Sequence, residues 1–193
     1  MNPTRQIAVF VGSLRTASIN RRLALAVEHL APPGISFRHL TIGDLPLYDP
    51  DHDDAPPPAA KQLKEAIESA DGLLFVTPEY NRSIPGVLKN ALDTASRPYG
   101  KNSLAGKPAA IIGASPGAIG TALAQAHLRV VLAYLDVPTL AQPEAYIQFT
   151  DSFLTDTGEI ANQASKRFLQ GWLDTYLAWV ERHVAPNDAS PAA

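Results

Sequence analysis

The run Ile7-Ala8-Val9-Phe10-Val11-Gly12-Ser13-Leu14-Arg15-Thr16-Ala17-Ser18-Ile19-Asn20 ends an apolar segment in hydroxyls, an amide and a guanidinium. These are the groups that hold an anion. Ser13, Ser18 and Asn20 offer neutral donors, and Arg15 offers a charged fork. A helix that starts at Asn20 adds unpaired amides and the positive end of its dipole. Read alone, the same residues equally describe a strand, a turn and an N-capped helix. The run is not a P-loop, because it lacks the Gly-Lys-Ser/Thr ending, and it contains no Gly-x-Gly-x-x-Gly. Hydroxyls standing where such motifs put glycine favour side chains wrapped around one phosphate over bare backbone against a diphosphate.

A second polar segment, Thr77-Pro78-Glu79-Tyr80-Asn81-Arg82-Ser83-Ile84-Pro85-Gly86, is bracketed by prolines. A stiff turn of this kind presents fixed N–H and C=O groups, which suit the alternating edge of a planar heterocycle; the plain alternative is a stiffened connection. The third segment, Gly113-Ala114-Ser115-Pro116-Gly117, has the Gly-x-Ser-x-Gly form of a hydrolase nucleophile elbow. An oxyanion hole there needs the backbone N–H of the residue after the serine, and Pro116 has none. His127 and His183, the downstream bases, fall inside expected helices. Asp49, Asp51, His52, Asp53 and Asp54 crowd one loop but run into Ala-Pro-Pro-Pro, the composition of a solvated acidic linker. No further ligand pair stands at metal spacing, so no metal site is expected.

These three segments need a scaffold that brings them together. Apolar runs at Ile7–Val11, Ser36–Leu40, Gly72–Val76, Pro108–Ile112 and Thr139–Ala141 read as five strands. Helical periodicity covers about Asn20–Leu30, Ala59–Ser69, Gly86–Ala95, Thr121–Leu135 and Asn162–His183. Strands alternating with helices give a parallel α/β sheet whose ligands bind beyond the strands' carboxyl ends. All three polar segments follow strands, so one pocket built from three loops is the simplest expectation.

With 193 residues, 46% apolar and 18% charged, the chain is long enough for one core, and no linker divides it. A single domain over residues 1–185 and a frayed tail at 186–193 are expected. The net charge of −3 argues against nucleic acid as a partner. The absence of cysteine excludes disulfides, Fe–S clusters and a cysteine nucleophile. No apolar run approaches the length of a membrane span, and the N-terminal run is too short for a signal core, so a cytoplasmic protein is expected.

Three stretches together closely resemble the NADPH-dependent FMN reductase family. They are Gly12-Ser13-Leu14-Arg15-x-x-Ser18-x-Asn20, then Pro78-Glu79-Tyr80-Asn81-x-Ser83-x-Pro85-Gly86-x-Leu88-Lys89-Asn90-Ala91-x-Asp93, then Leu104-Ala105-Gly106-Lys107-Pro108. Within the family the chain is similar to the bacterial quinone and chromate reductases, which overlap with FMN-dependent azoreductases. The resemblance implies a flavodoxin-like three-layer sandwich with strand order 2-1-3-4-5 and non-covalent FMN. It places the phosphate on Ser13, Arg15, Ser18 and Asn20, with Ile19 in the same run. It sets Pro78, Glu79, Tyr80 and Asn81 along the ring edge, and Ser115 and Gly117 on the other side. NADPH or NADH would reduce FMN, which would pass two electrons to a quinone or a similar small acceptor such as an azo compound, chromate or free flavin. The chemistry belongs to the flavin, so no separate catalytic residue is expected. The family is a homodimer or homotetramer, which makes the helix with Lys89, Asn90 and Asp93 and the segment from Arg129 to Glu144 candidate contacts. Pro116 and Thr121 depart from a third loop that is often richer in glycine. The rival readings are a flavodoxin-type electron carrier and a serine hydrolase at Ser115.

Overall fold

A computed structural model describes residues 5–184, so the tail expected at 186–193 lies outside the described residues. Its elements are β1 Arg5–Val11, α1 Ile19–Glu28, β2 Ile35–His39, α2 Pro58–Glu68, β3 Gly72–Val76, α3 Gly86–Ala95, β4 Ala109–Ser115, α4 Ala122–Tyr134, β5 Tyr146–Gln148 and α5 Gln163–His183. The strands pair in the order β2-β1-β3-β4-β5, all parallel. β1, β3 and β4 are central and read as continuous apolar runs because both their faces are covered.

The period-2 alternation of β1 splits its side chains between two cores. Ile7, Val9 and Val11 face a cluster built with α1 and α5, including Leu23, Val27, Leu169, Trp172 and Tyr176. Ala8 and Phe10 face a cluster built with α2, α3 and α4, including Leu63, Ile67, Leu88, Leu92 and Leu128. Phe10 and Phe75 stack across β1 and β3 with ring centroids 4.7 Å apart. Gly72 lets α5 lie close: a Cβ there would stand 2.8 Å from Val180 and 3.0 Å from the Tyr176 hydroxyl. That hydroxyl is buried and donates to Leu73 O at 2.8 Å, and burial pushes its pKa well above the usual value. Replacing Tyr176 by Phe removes this bond, and chemical denaturation should show a loss of about 1 kcal/mol.

Two boundaries differ from the sequence reading. The fifth strand is Tyr146–Gln148, not Thr139–Ala141. Thr139 makes a single bridge to Ala109, the chain then leaves the sheet, and it rejoins at Gly113↔Tyr146. Pro138 and Pro143 flank the expected strand and have no N–H to extend a ladder. Tyr146-Ile147-Gln148 instead buries only Ile147, as an edge strand does. β4 also runs on through Gly113, Ala114 and Ser115, so the first three residues of the Gly113–Gly117 segment are strand.

Candidate functional site

The first loop leaves β1 at Val11, and Gly12 N–H extends the ladder by donating to Val76 O at 2.9 Å. A Cβ on Gly12 would stand 3.2 Å from both Pro78 Cδ and Thr77 Oγ1, so the first and second loops touch. Ser18 caps α1: its Oγ accepts from Arg21 N at 3.2 Å, and its own N–H closes a turn onto Arg15 O at 3.1 Å. The amides of Ile19 and Asn20 open the helix and have no carbonyl one turn back to pair with. The first turn carries no acidic residue. Arg15, Arg21 and Arg22 are exposed around it, with Arg22 also lying 5.2 Å from the Phe149 ring centroid. Ser13 is buried at the loop's start, beside a cavity of about 420 Å³ that reaches to Arg21 and His39.

Asn20 is placed differently from a simple phosphate donor. The residue is 1% exposed. Nδ2 donates to Ala114 O at 2.9 Å, and Oδ1 accepts from Ala114 N at 2.9 Å. The amide therefore joins α1 to the end of β4, and what it can offer an anion is its backbone N–H.

The second loop is a tight hairpin. Tyr80 and Ser83 exchange two backbone bonds of 3.0 Å each. Asn81 and Arg82 between them have φ of 51° and 66°, the left-handed pair of a type I′ turn. Asn tolerates this region readily and Arg less so. The hairpin is held by α4: Glu79 Oε2 accepts from Leu123 N at 3.0 Å and Ala124 N at 3.1 Å, and Ser83 Oγ lies 3.0 Å from His127 Nδ1. Pro78 is buried, and its carbonyl accepts from the buried Thr77 hydroxyl at 2.8 Å.

At the third loop, Gly113 lies against both neighbours. A Cβ there would stand 2.1 Å from Thr121 Oγ1 and 2.2 Å from Thr77 O. Ser115 Oγ accepts from Gly117 N at 3.1 Å, and Ser115 O accepts from Phe149 N at 2.8 Å. Neither downstream histidine serves Ser115, since His127 bonds Ser83 and His183 bonds Trp179 O.

The three loops thus meet at one edge of the sheet, joined by Gly12 to Pro78, Gly113 to Thr77, Asn20 to Ala114, and Glu79 to α4. Ser13, Arg15, Ser18, Ile19 and Asn20 lie on the first, Pro78, Glu79, Tyr80 and Asn81 on the second, and Ser115 and Gly117 on the third. Sequence reasoning missed the roles of Thr77, Thr121 and His127, which fasten the loops together: Thr77 O and Thr121 Oγ1 lie against Gly113, and His127 bonds Ser83. The acidic cluster has a local explanation: Asp49 accepts from Asp51 N at 3.0 Å, and Asp53 accepts from the Tyr48 hydroxyl at 3.3 Å. Asn90 is likewise turned inward, accepting from Tyr48 N and donating to Pro46 O.

The model of one family, NADPH-dependent FMN reductase, matches residues 5–151. A 2-hydroxy-1,4-benzoquinone reductase from Burkholderia sp is 55% identical over 91% of this chain and 96% of its own. A quinone reductase from Pseudomonas putida is 46% identical over 94% of this chain and 97% of its own. Among solved structures, a flavoenzyme NAD(P)H:(acceptor) oxidoreductase from Paracoccus denitrificans superimposes with a TM-score of 0.90 at 46% identity, covering 93% of this chain and 98% of that one.

Proposed function

The chain belongs to the NADPH-dependent FMN reductase family, and from that premise we propose that it carries two electrons from NAD(P)H through bound FMN to a quinone. The observation that carries this reading is the meeting of three strand-end loops beside a helix start that has open amides, nearby arginines and no acid. That donor set fits a phosphate monoester. FMN supplies hydride acceptance and two-electron release when bound.

The protein's part is binding and orientation. Ser13, Arg15, Ser18 and the amides of Ile19 and Asn20 hold the phosphate. The Pro78–Asn81 segment presents fixed backbone groups to the ring edge, and Ser115 and Gly117 border its far side. Arg82, exposed at the hairpin tip, would offset negative charge on a reduced ring. A quinone as acceptor is supported by the names of relatives matched over nearly their whole lengths. An anaerobic assay with 1,4-benzoquinone tests it: one quinone should be reduced for each NADPH consumed. Quinone left untouched under these conditions, with NADPH oxidised only once air is admitted, would sink this choice of acceptor.

We assign a second copy of the chain to the outer face of α4. There Leu123, Ala126, Val130, Ala133 and Tyr134 form an exposed apolar row at helical spacing, the self-complementary patch that a two-fold pair needs. Val130→Glu should shift the protein towards monomer by size-exclusion chromatography. Among the described residues no helix is long and apolar enough to cross a membrane. Together with the cysteine-free sequence, this supports a cytoplasmic location.

A further inference from the structure

Glu79 sits in the segment assigned to the ring edge, yet its carboxylate points into the protein. Its side chain is only 10% exposed. Oε2 accepts from the first-turn amides of α4 at Leu123 and Ala124, and Oε1 lies 3.5 Å from Arg82 Nη1. α4 needs this partner. Thr121, at its N-cap position, makes no side-chain capping bond, and its hydroxyl accepts instead from Gln125 Nε2 at 3.0 Å. A helix start without its own cap leaves amides unpaired, and a carboxylate there is favoured by the dipole as well. Glu79 therefore caps α4 from a different loop, more than forty residues away in sequence.

This arrangement also fixes the hairpin. Its two left-handed residues occupy a backbone region that a free loop would leave. Glu79 fastens the chain just before them, and Ser83, bonded to His127 one turn further along α4, fastens it just after. We infer that Glu79 is a positioning residue: it sets the ring-edge segment at the height of the flavin by gripping the start of α4, and it does not act by touching the flavin. The inference rests on the assignment of Pro78–Asn81 to the flavin edge.

The test is FMN titration of the apoprotein by quenching of flavin fluorescence, with amide hydrogen exchange read at Leu123 and Ala124. In Glu79→Ala, exchange at these amides should accelerate and the Kd for FMN should rise about tenfold, the size of a lost helix cap. Glu79→Gln keeps an acceptor oxygen without the charge, and it should restore protection and most of the affinity. Faster exchange in Glu79→Ala with unchanged FMN affinity would overturn the inference. So would a Glu79→Gln variant with normal protection but the full loss of affinity, because the charge itself would then be acting on the flavin. Failure of the wild-type protein to take up FMN would instead overturn the underlying assignment, and the inference with it.

Discussion

Gly113→Ala is expected to lower the melting temperature by about 10 °C and to abolish tight FMN binding in whatever protein remains folded. The added methyl would lie 2.1 Å from Thr121 Oγ1 and 2.2 Å from Thr77 O, far inside van der Waals contact. Neither neighbour can step aside cheaply. Thr77 O is backbone at the end of β3, and Thr77 N–H is bonded to Ile112 O at 3.0 Å. Thr121 is fully buried and bonded to Gln125, whose amide also reaches Ala145 O. Overpacking of this kind costs about 3 kcal/mol. The strain falls where the second and third loops join, so the site moves with it. Gly171→Ala is the control: nothing lies within 4 Å of a Cβ there, on an exposed turn of α5, and alanine should stabilise the helix by up to about 1 kcal/mol. Differential scanning calorimetry of the two variants should show shifts of opposite sign.

Asn20→Ala is the second large effect. Both bonds to the Ala114 peptide are buried, and alanine would leave that N–H and C=O without their partner. Two such losses amount to about 3 kcal/mol. The end of β4 and the start of α1 would separate, taking Ser115 away from the first loop. Urea denaturation should register the loss of stability, and FMN titration the loss of affinity. Asn20→Asp is a sharper probe, because a carboxylate still accepts from Ala114 N–H but faces Ala114 O as a like charge. It should be at least as damaging as alanine.

How much of this was legible in the sequence differs by element. β3 and α3 are found at their expected bounds, because an uninterrupted apolar run and a helix between Pro85 and Ser96 leave few alternatives. The strand order and the fold agree with what the motifs imply. The fifth strand escapes a reading of the sequence because a three-residue edge strand with one buried side chain carries almost no periodic signal, while Thr139-Leu140-Ala141 looks more apolar. In the site, residue type and loop position could be read from the chain, but partners could not. Asn20 looks like a phosphate donor until its amide is seen on Ala114. Glu79 looks like a ring contact until its carboxylate is seen on α4. These bonds join residues 94 and 44 positions apart, and no local spacing encodes them. Gly113 was legible only as part of an elbow motif, whereas its structural reason is the close approach of two neighbouring loops.

The most direct test of the functional account is anaerobic addition of NADPH to the FMN-loaded protein while the visible flavin absorbance is followed. The absorbance should bleach, with one NADPH consumed per bound FMN. A bound flavin that stays oxidised, or a protein that gains no flavin spectrum with excess FMN, would contradict the account.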